Sequence, residues 1–487
     1  MFAFLLCLFR SSNEIPLPSY PKKYRLKGTW SVPYWNLKQP YYISYDASVK
    51  GNECLSENAF NRTHTIRCLK KYKVTQQVYT NIENGEFIKA QYCKKSYADP
   101  QDDEPLTEYL PTSNEEWKYK GEYVLLGRLT HKWRKELGVN DWYYDFYADA
   151  KTLEPVRLYN YGVSIKHSHP TVYILDIEEY GVTVEESEFY VPSNCRSSNS
   201  TVGPTFGRDI SVPKPYLQKS NADYSYKPDE QPYCENVTSV DIDMEIPKSF
   251  SWRNTPGVLP KVHDQATCGS CYAMAAEIAA SAQLSLKSDR NISLSTQQFV
   301  DCSWGDNVNN ACDGGEGWET YHKLKINNIE LTSEDEIPYI GVSGYCPTKV
   351  QNPIAKITGC KQFIQDPNDY NHELIKKALI RYGPLMVSIR AGSDKDVYAP
   401  FTQLTPEHNT YSSPDLCDAH KWKKQLVDHG VILTGFTTMN VGGEEKRYLE
   451  IMNSWSTDWG DHGFGYIDEQ YDCGIDSTVL LPTVEFL

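Results

Sequence analysis

The chain has 487 residues, 40 % apolar and 13 % aromatic, with a formal net charge of −15. That acidity argues against a nucleic-acid partner and against binding to an anionic membrane surface. No run of eighteen apolar residues occurs, so no transmembrane helix is expected. A chain of this length predicts about three domains.

At the N-terminus, Met1 to Phe9 reads Met-Phe-Ala-Phe-Leu-Leu-Cys-Leu-Phe, the apolar core of a signal peptide without a basic flank. We assign residues 1–15 to such a segment. The 14 cysteines and four Asn-x-Ser/Thr sequons, at Asn61, Asn199, Asn236 and Asn291, fit an oxidising secretory route with glycosylation.

Residues 20–192 read as mostly strand. Period-two, aromatic and β-branched runs recur at 24–35, 41–45, 74–82, 122–129, 142–147 and 172–177, and Asn84-Gly85 is a two-residue hairpin signal. The many tyrosines, 36 in all, belong with such a region, and the strand spacing predicts a barrel or a sandwich. No nucleophile–base pair, metal cluster or phosphate loop is visible there. From 193 to 245 the composition turns to Ser, Asn, Pro, Asp and Lys without periodicity. This is a linker or propeptide, a natural place for proteolytic cutting.

Ordered sequence resumes at Ile246 and runs to Leu487. Gln265-Ala-Thr-Cys-Gly-Ser-Cys271 leads into an alanine-rich segment, Ala273 to Leu286, apolar nearly all round as in a buried helix. Cys271 at the helix start would face unpaired backbone N–H groups that favour a thiolate nucleophile. Two cysteines there would also suit a disulfide or a zinc pair. A short helix follows within Leu294–Asp301, then a glycine-bearing loop through Cys312-Asp-Gly-Gly315. Beyond Cys360 the pattern turns to strands, with the clearest at 384–389, 426–433, 448–452 and 463–467. A helical part followed by a β part, with a cleft between, is the expected α+β arrangement.

A cysteine nucleophile needs a base, and the base needs an orienting group. His429 lies in a strand-like run, and Asn453 follows another and precedes Trp455. The Asn453 carboxamide would accept from the imidazole ring, with Trp455 shielding the bond. The Gln265 amide would join the Cys271 backbone N–H in stabilising an oxyanion.

These contexts resemble the papain family of cysteine peptidases, the cathepsins. Gln265-x-x-Cys-Gly-Ser-Cys-Tyr-Ala273 is similar to the family's nucleophile motif, with Tyr272 where Trp is commoner. Val427-Asp-His-Gly430 is similar to the histidine motif, and Asn453-Ser-Trp-Ser456 to the asparagine motif, with Ser456 where glycine is usual. His429 stands 158 residues after Cys271 (429 minus 271), beyond the family's roughly 130–150. An insertion between Ile389 and Val427 accounts for part of the excess. The resemblance implies a papain-like two-lobed domain over 246–487 with peptide hydrolysis at Cys271, His429, Asn453 and Gln265. It implies substrate contacts at Gly314, Gly315 and Trp455, and a roomy pocket lined by Glu316, Gly317, Ser388, Val427, Gly430 and Thr478. It pairs Cys268 with Cys312, Cys302 with Cys346 and Cys417 with Cys473. If Cys54, Cys68, Cys93, Cys195, Cys234 and Cys360 are all bonded, one bridge joins the two halves. No cofactor or metal is implied, and the partners are protein or peptide substrates.

The expected activity is an endopeptidase made as a precursor, lysosomal or extracellular. A dipeptidyl aminopeptidase of cathepsin C type is the alternative activity, and an inactive homologue acting as a binding protein the alternative class. No His-His pair lies between Cys312 and Cys346, which disfavours a cathepsin B-type carboxydipeptidase. The family's usual helical propeptide is not evident.

Overall fold

A computed structural model describes residues 15–49, 52–59, 63–69, 74–83, 86–97, 106–111, 116–138, 140–162, 169–189, 196–198, 233–303, 309, 311–344, 346–347, 349–366, 371–391, 401, 403–405, 407–412, 417 and 427–487. The segment 1–14, Asn61, Asn199, Asn84-Gly85 and most of the insertion before Val427 lie outside them.

The first half folds as one twelve-stranded sheet. Its strands are β1 (Lys23–Val32), β2 (Leu37–Val49), β3 (Asn52–Ala59), β4 (Thr63–Leu69), β5 (Val74–Glu83), β6 (Glu86–Tyr97), β7 (Lys118–Leu125), β8 (Arg128–Glu136), β9 (Tyr143–Asp149), β10 (Pro155–Gly162), β11 (Thr171–Gly181) and β12 (Arg196–Ser198). They line up as β12-β6-β5-β4-β3-β2-β1-β11-β10-β9-β8-β7. The expected β-rich N-terminal region is present as this continuous series of strands. One ladder runs from edge to edge, and among the described residues no pairing joins β7 to β12. β1 sits near the middle because its alternate residues Tyr24, Leu26, Trp30 and Val32 are buried, the period-two pattern of a sheet with one core face. Gly28, between them, is needed for close approach. A Cβ there would lie 2.0 Å from the Asp176 carbonyl oxygen across the β1–β11 bulge.

A correction concerns 122–129, which reads as one strand. The chain turns within it, ending β7 at Leu125 and starting β8 at Arg128. Leu126 and Gly127 both take positive φ, 51° and 76°. Leucine is a poor residue for that conformation, so Gly127 is the sequence's one turn signal here, and Leu126 before it hides the turn.

The second half adds β13 (Glu235–Val237), β14 (Phe250–Ser251), α1 (Cys271–Ser288), α2 (Thr296–Asp301), α3 (Gly317–Ile326), β15 (Ala355–Phe363), α4 (Glu373–Tyr382), β16 (Leu385–Ile389), β17 (Thr410–Tyr411), β18 (His429–Val441), β19 (Glu444–Met452), β20 (Phe464–Asp468) and β21 (Val479–Phe486). Its sheet runs β13-β15-β21-β16-β18-β19-β20-β17, with β14 on β18. β13 and its neighbours come from the stretch that reads as linker. They are fastened by parallel pairing to β15 and by a Cys234–Cys360 disulfide.

The two halves share one apolar core, in which Trp30, Trp35, Leu37 and Tyr173 cluster with α1 residues Tyr272 to Ala280. Polar contacts cross the same seam. Tyr34 Oη donates to the Val262 carbonyl at 2.9 Å, Gln39 Nε2 donates to the Ile340 carbonyl at 2.5 Å, and the Trp35 ring lies 4.8 Å from the His263 ring. A second core, around Ile389, Val431, Leu449, Trp455 and Trp459, fills the β part.

Candidate active site

α1 begins at Cys271, with Ser270 as its N-cap. Ser270 Oγ bonds Tyr339 Oη at 2.7 Å instead of capping the helix, and Tyr339 Oη donates to the Gln265 carbonyl at 2.9 Å. A disulfide from Cys268 to Cys312 and a bond from Gly269 N to the Cys312 carbonyl, 2.9 Å, tie the approach to the following loop. Cys271 takes part in none of the disulfides and, at 0 % exposure, is wholly buried. Along the apolar run of α1, Ala273 to Leu286, one residue is charged. Glu277 is buried in mid-helix, bonded to His263 Nε2 at 2.7 Å and to the Leu294 N–H at 3.0 Å. Burial works against a charged His263, yet Glu277 lifts its pKa above the ordinary value.

β18 starts at His429 and passes close to the start of α1. A Cβ at Gly430 would sit 3.2 Å from both the Cys271 carbonyl oxygen and the Tyr272 Cα. The Ser454 N–H donates to Asn453 Oδ1 at 2.8 Å, which identifies the oxygen end of that carboxamide. His429 Nε2, 2.7 Å from the same oxygen, therefore donates. The ring is then the tautomer whose Nδ1 carries the lone pair, and Nδ1 is buried without a hydrogen bond. Trp455 lies over the pair, its ring 4.8 Å from the imidazole. Burial pulls the His429 pKa down to about 4, against the Asn453 bond, which raises it.

Gln265 is held by the segment after Asn453. Its N–H donates to the Ser454 carbonyl at 3.0 Å, and its Oε1 accepts from Ser454 Oγ at 2.8 Å and from Trp455 Nε1 at 3.2 Å. Its Nε2 donates to the Cys268 carbonyl at 3.1 Å. The amide N–H₂ end thus faces the turn that leads into Cys271. Ser456, where glycine is usual, has φ 62°, the left-handed region that glycine enters freely. Two bonds hold it there: its N–H donates to the His263 carbonyl at 2.9 Å, and its Oγ accepts from the Asp458 N–H at 3.1 Å.

Of the pocket residues, Ser388 pairs with Gly430, and the Ser388 N–H donates to the Thr478 carbonyl at 3.2 Å. Gly317 faces Met386 rather than open space, since a Cβ there would lie 2.1 Å from Met386 Cε. Gly314, Gly315, Glu316, Val427 and Thr478 are buried as well. Disulfides join Cys302 to Cys346, Cys417 to Cys473 and Cys54 to Cys68. The sequons Asn236 and Asn291 are exposed, but the Asn291 amide donates to the Leu259 carbonyl at 3.1 Å.

One neighbour of the site has no sequence signal. His169, just before β11, is buried against the second half. Its Nε2 lies 2.9 Å from Asp264 Oδ1, and its ring is stacked on Trp455 at 5.7 Å and 7°. Only the polar run His263-Asp264-Gln265 hints that Asp264 has a partner.

A family model described as "Papain family cysteine protease" matches residues 246–483. The chain is 31 % identical over 253 residues to a cathepsin L-like peptidase of Aedes aegypti, covering 51 % of this chain and 68 % of that one. It is 30 % identical over 243 residues to human cathepsin L2, covering 50 % and 67 %. It is 32 % identical over 243 residues to mouse procathepsin L, covering 50 % and 66 %. Among solved structures, a digestive procathepsin L 3 of Tenebrio molitor larval midgut matches 51 % of this chain and 73 % of its own at 24 % identity and a TM-score of 0.41.

Proposed function

The chain belongs to the papain family of cysteine proteases, and from that premise we propose that it is a precursor-made endopeptidase working through Cys271, His429, Asn453 and Gln265. His429 Nδ1 takes the thiol proton, and the Cys271 sulfur attacks a peptide carbonyl. The C–N bond then breaks as His429 returns the proton to the leaving amine, and water hydrolyses the thioester. Gln265 Nε2 and the Cys271 backbone N–H stabilise the oxyanion. Asn453 fixes the tautomer, and the buried Trp455 keeps water from the His429–Asn453 bond.

The observation that carries this reading is the 2.7 Å His429–Asn453 bond at the start of β18, against the N-terminus of α1. Burial of Cys271 and His429, 0 % and 1 % exposed, supports a precursor, because a peptide needs a path to the sulfur. Five disulfides among the described residues support a secretory route, to the lysosome or the cell exterior.

Labelling with an epoxysuccinyl inhibitor at mildly acidic pH tests the reading. Modification of Cys271, lost in Cys271→Ser, is expected. A folded, processed protein that stays unlabelled and cleaves no peptide would be an inactive homologue. N-terminally blocked and free dipeptide substrates divide the activities. Cleavage of both fits the endopeptidase, and cleavage of only the free ones makes it an aminopeptidase.

A further inference from the structure

Asp264 is the residue before Gln265 and is completely buried. A carboxylate so near an oxyanion donor works against catalysis, because it repels the charge that the donor is there to stabilise. Its Oδ1 accepts the Ala266 N–H at 2.8 Å and the His169 Nε2–H at 2.9 Å, while Oδ2 is buried with no hydrogen bond. Ala266 itself has φ 53°, so the turn that presents Gln265 is strained and held by that carboxylate. His169 comes from the N-terminal sheet. Tyr173 on β11 donates its Oη proton to the His169 carbonyl at 3.0 Å, and the His169 ring lies flat on Trp455. Trp455 is also the residue whose Nε1 fixes the Gln265 amide.

We propose that His169 is a positioning residue of the peptidase, supplied by the N-terminal half. It donates to Asp264, steadies Trp455, and so aims the Gln265 amide while offsetting the charge behind the oxyanion hole. The catalytic half therefore works at full rate only with the N-terminal half in place. This rests on the cysteine-peptidase reading above.

The test uses the full chain, produced through a secretory route and activated, with active sites counted by epoxysuccinyl titration of Cys271. His169→Phe keeps a flat ring on Trp455 and loses the donor. It should lower kcat per titrated site by about ten-fold or more, since loss of a whole oxyanion donor costs roughly 10²–10³-fold, with KM changed by less than about three-fold. His169→Gln keeps an N–H donor and should stay within about three-fold of wild type. Adding Asp264→Asn to His169→Phe removes the uncompensated charge and should recover at least about three-fold in kcat, which repair of a merely structural defect would not do. Unchanged kcat in His169→Phe, equal losses in Phe and Gln, or no recovery in the double variant each overturn the proposal. So does a fully active form that lacks residues 15–189 by N-terminal sequencing. A wild-type Cys271 that neither titrates nor cleaves peptides overturns the peptidase reading itself. A normal wild type with indifferent His169 variants overturns this inference alone.

Discussion

Trp455 Nε1 donates to Gln265 Oε1 across 3.2 Å, and this bond decides which end of the Gln265 carboxamide faces the Cys271 turn. An indole N–H can only donate, so the oxygen end turns to Trp455 and the N–H₂ end to the site. Gln265→Ala should lower kcat by roughly 10²–10³-fold with little change in KM, as expected for a donor used mainly in the transition state. Trp455→Phe keeps the apolar cover and Ser454 Oγ still donates to Gln265 Oε1, so its loss of kcat should be smaller. Steady-state kinetics on one peptide substrate, normalised to titrated sites, checks the order.

Gly430 permits the approach of β18 to the N-terminus of α1. In Gly430→Ala the new methyl would meet backbone atoms of Cys271 and Tyr272 at 3.2 Å, and backbone yields less readily than a side-chain tip. The variant should lose about 1–3 kcal/mol of stability by overpacking. It should also lose activity per folded molecule, because the adjacent His429 moves with the strand. Denaturant unfolding together with the rate of Cys271 labelling measures both. A labelling rate equal to wild type would mean that the strand absorbs the methyl elsewhere.

The candidate site residues Cys271, His429, Asn453 and Gln265 stand in local contexts that the sequence displays: a Cys at a helix start, a His within a strand-like run and an Asn after another. Such contexts are short-range, so a single sequence carries them. His169 meets Asp264 across 95 residues, in a contact set by how the first sheet docks, and no local pattern encodes that. The runs at 24–35, 41–45, 74–82, 142–147 and 172–177 fall on strands for the same reason as the motifs, since alternation along a strand is local, whereas β3, β4 and β10 have no run in the sequence reading. The assembly of the strands into one sheet was not legible, because β1 pairs with β11 across most of that half. Ser456 is an informative departure. The family's glycine is replaced, yet φ stays at 62°, so flanking hydrogen bonds can impose a conformation that composition alone would not forecast.

The Cys234–Cys360 bridge spans 126 residues and fastens β13 to the second sheet. Closing so long a loop constrains the unfolded chain strongly, and removing a bridge of this kind costs roughly 2–5 kcal/mol. The double variant Cys234→Ala/Cys360→Ala should therefore melt at lower temperature. It should also be cut more readily by protease near Tyr233, whose ring stacks on His322 at 3.6 Å. Non-reducing peptide mapping of the wild type should recover the two cysteines in one linked pair. Finding Cys360 as a free thiol would remove the premise.

His429 makes the fold sensitive to acid in a defined window. Its pKa is pulled by burial from 6.5 to about 4 in the folded chain, so the unfolded chain binds the proton first as pH falls. Stability present above pH 6.5 is lost as pH drops toward about 4, by about 3 kcal/mol for a shift of this size. His372 acts with the opposite sign. Burial opposes its charge, but Asp472 and Glu469 raise its pKa to about 10, so its contribution is full below pH 6.5 and is lost as pH rises toward 10. Other groups titrate in both windows, and comparison with single variants isolates each one. Denaturant unfolding of His429→Gln at pH 7 and pH 4.5 should show a smaller acid loss than wild type. His372→Gln should show a smaller loss between pH 6.5 and pH 9. Equal slopes in wild type and His429→Gln would mean that His429 takes up its proton at the same pH in the folded and the unfolded chain. Burial would then not hold the ring neutral at pH 4.5, and the tautomer with Nδ1 as acceptor would be lost there.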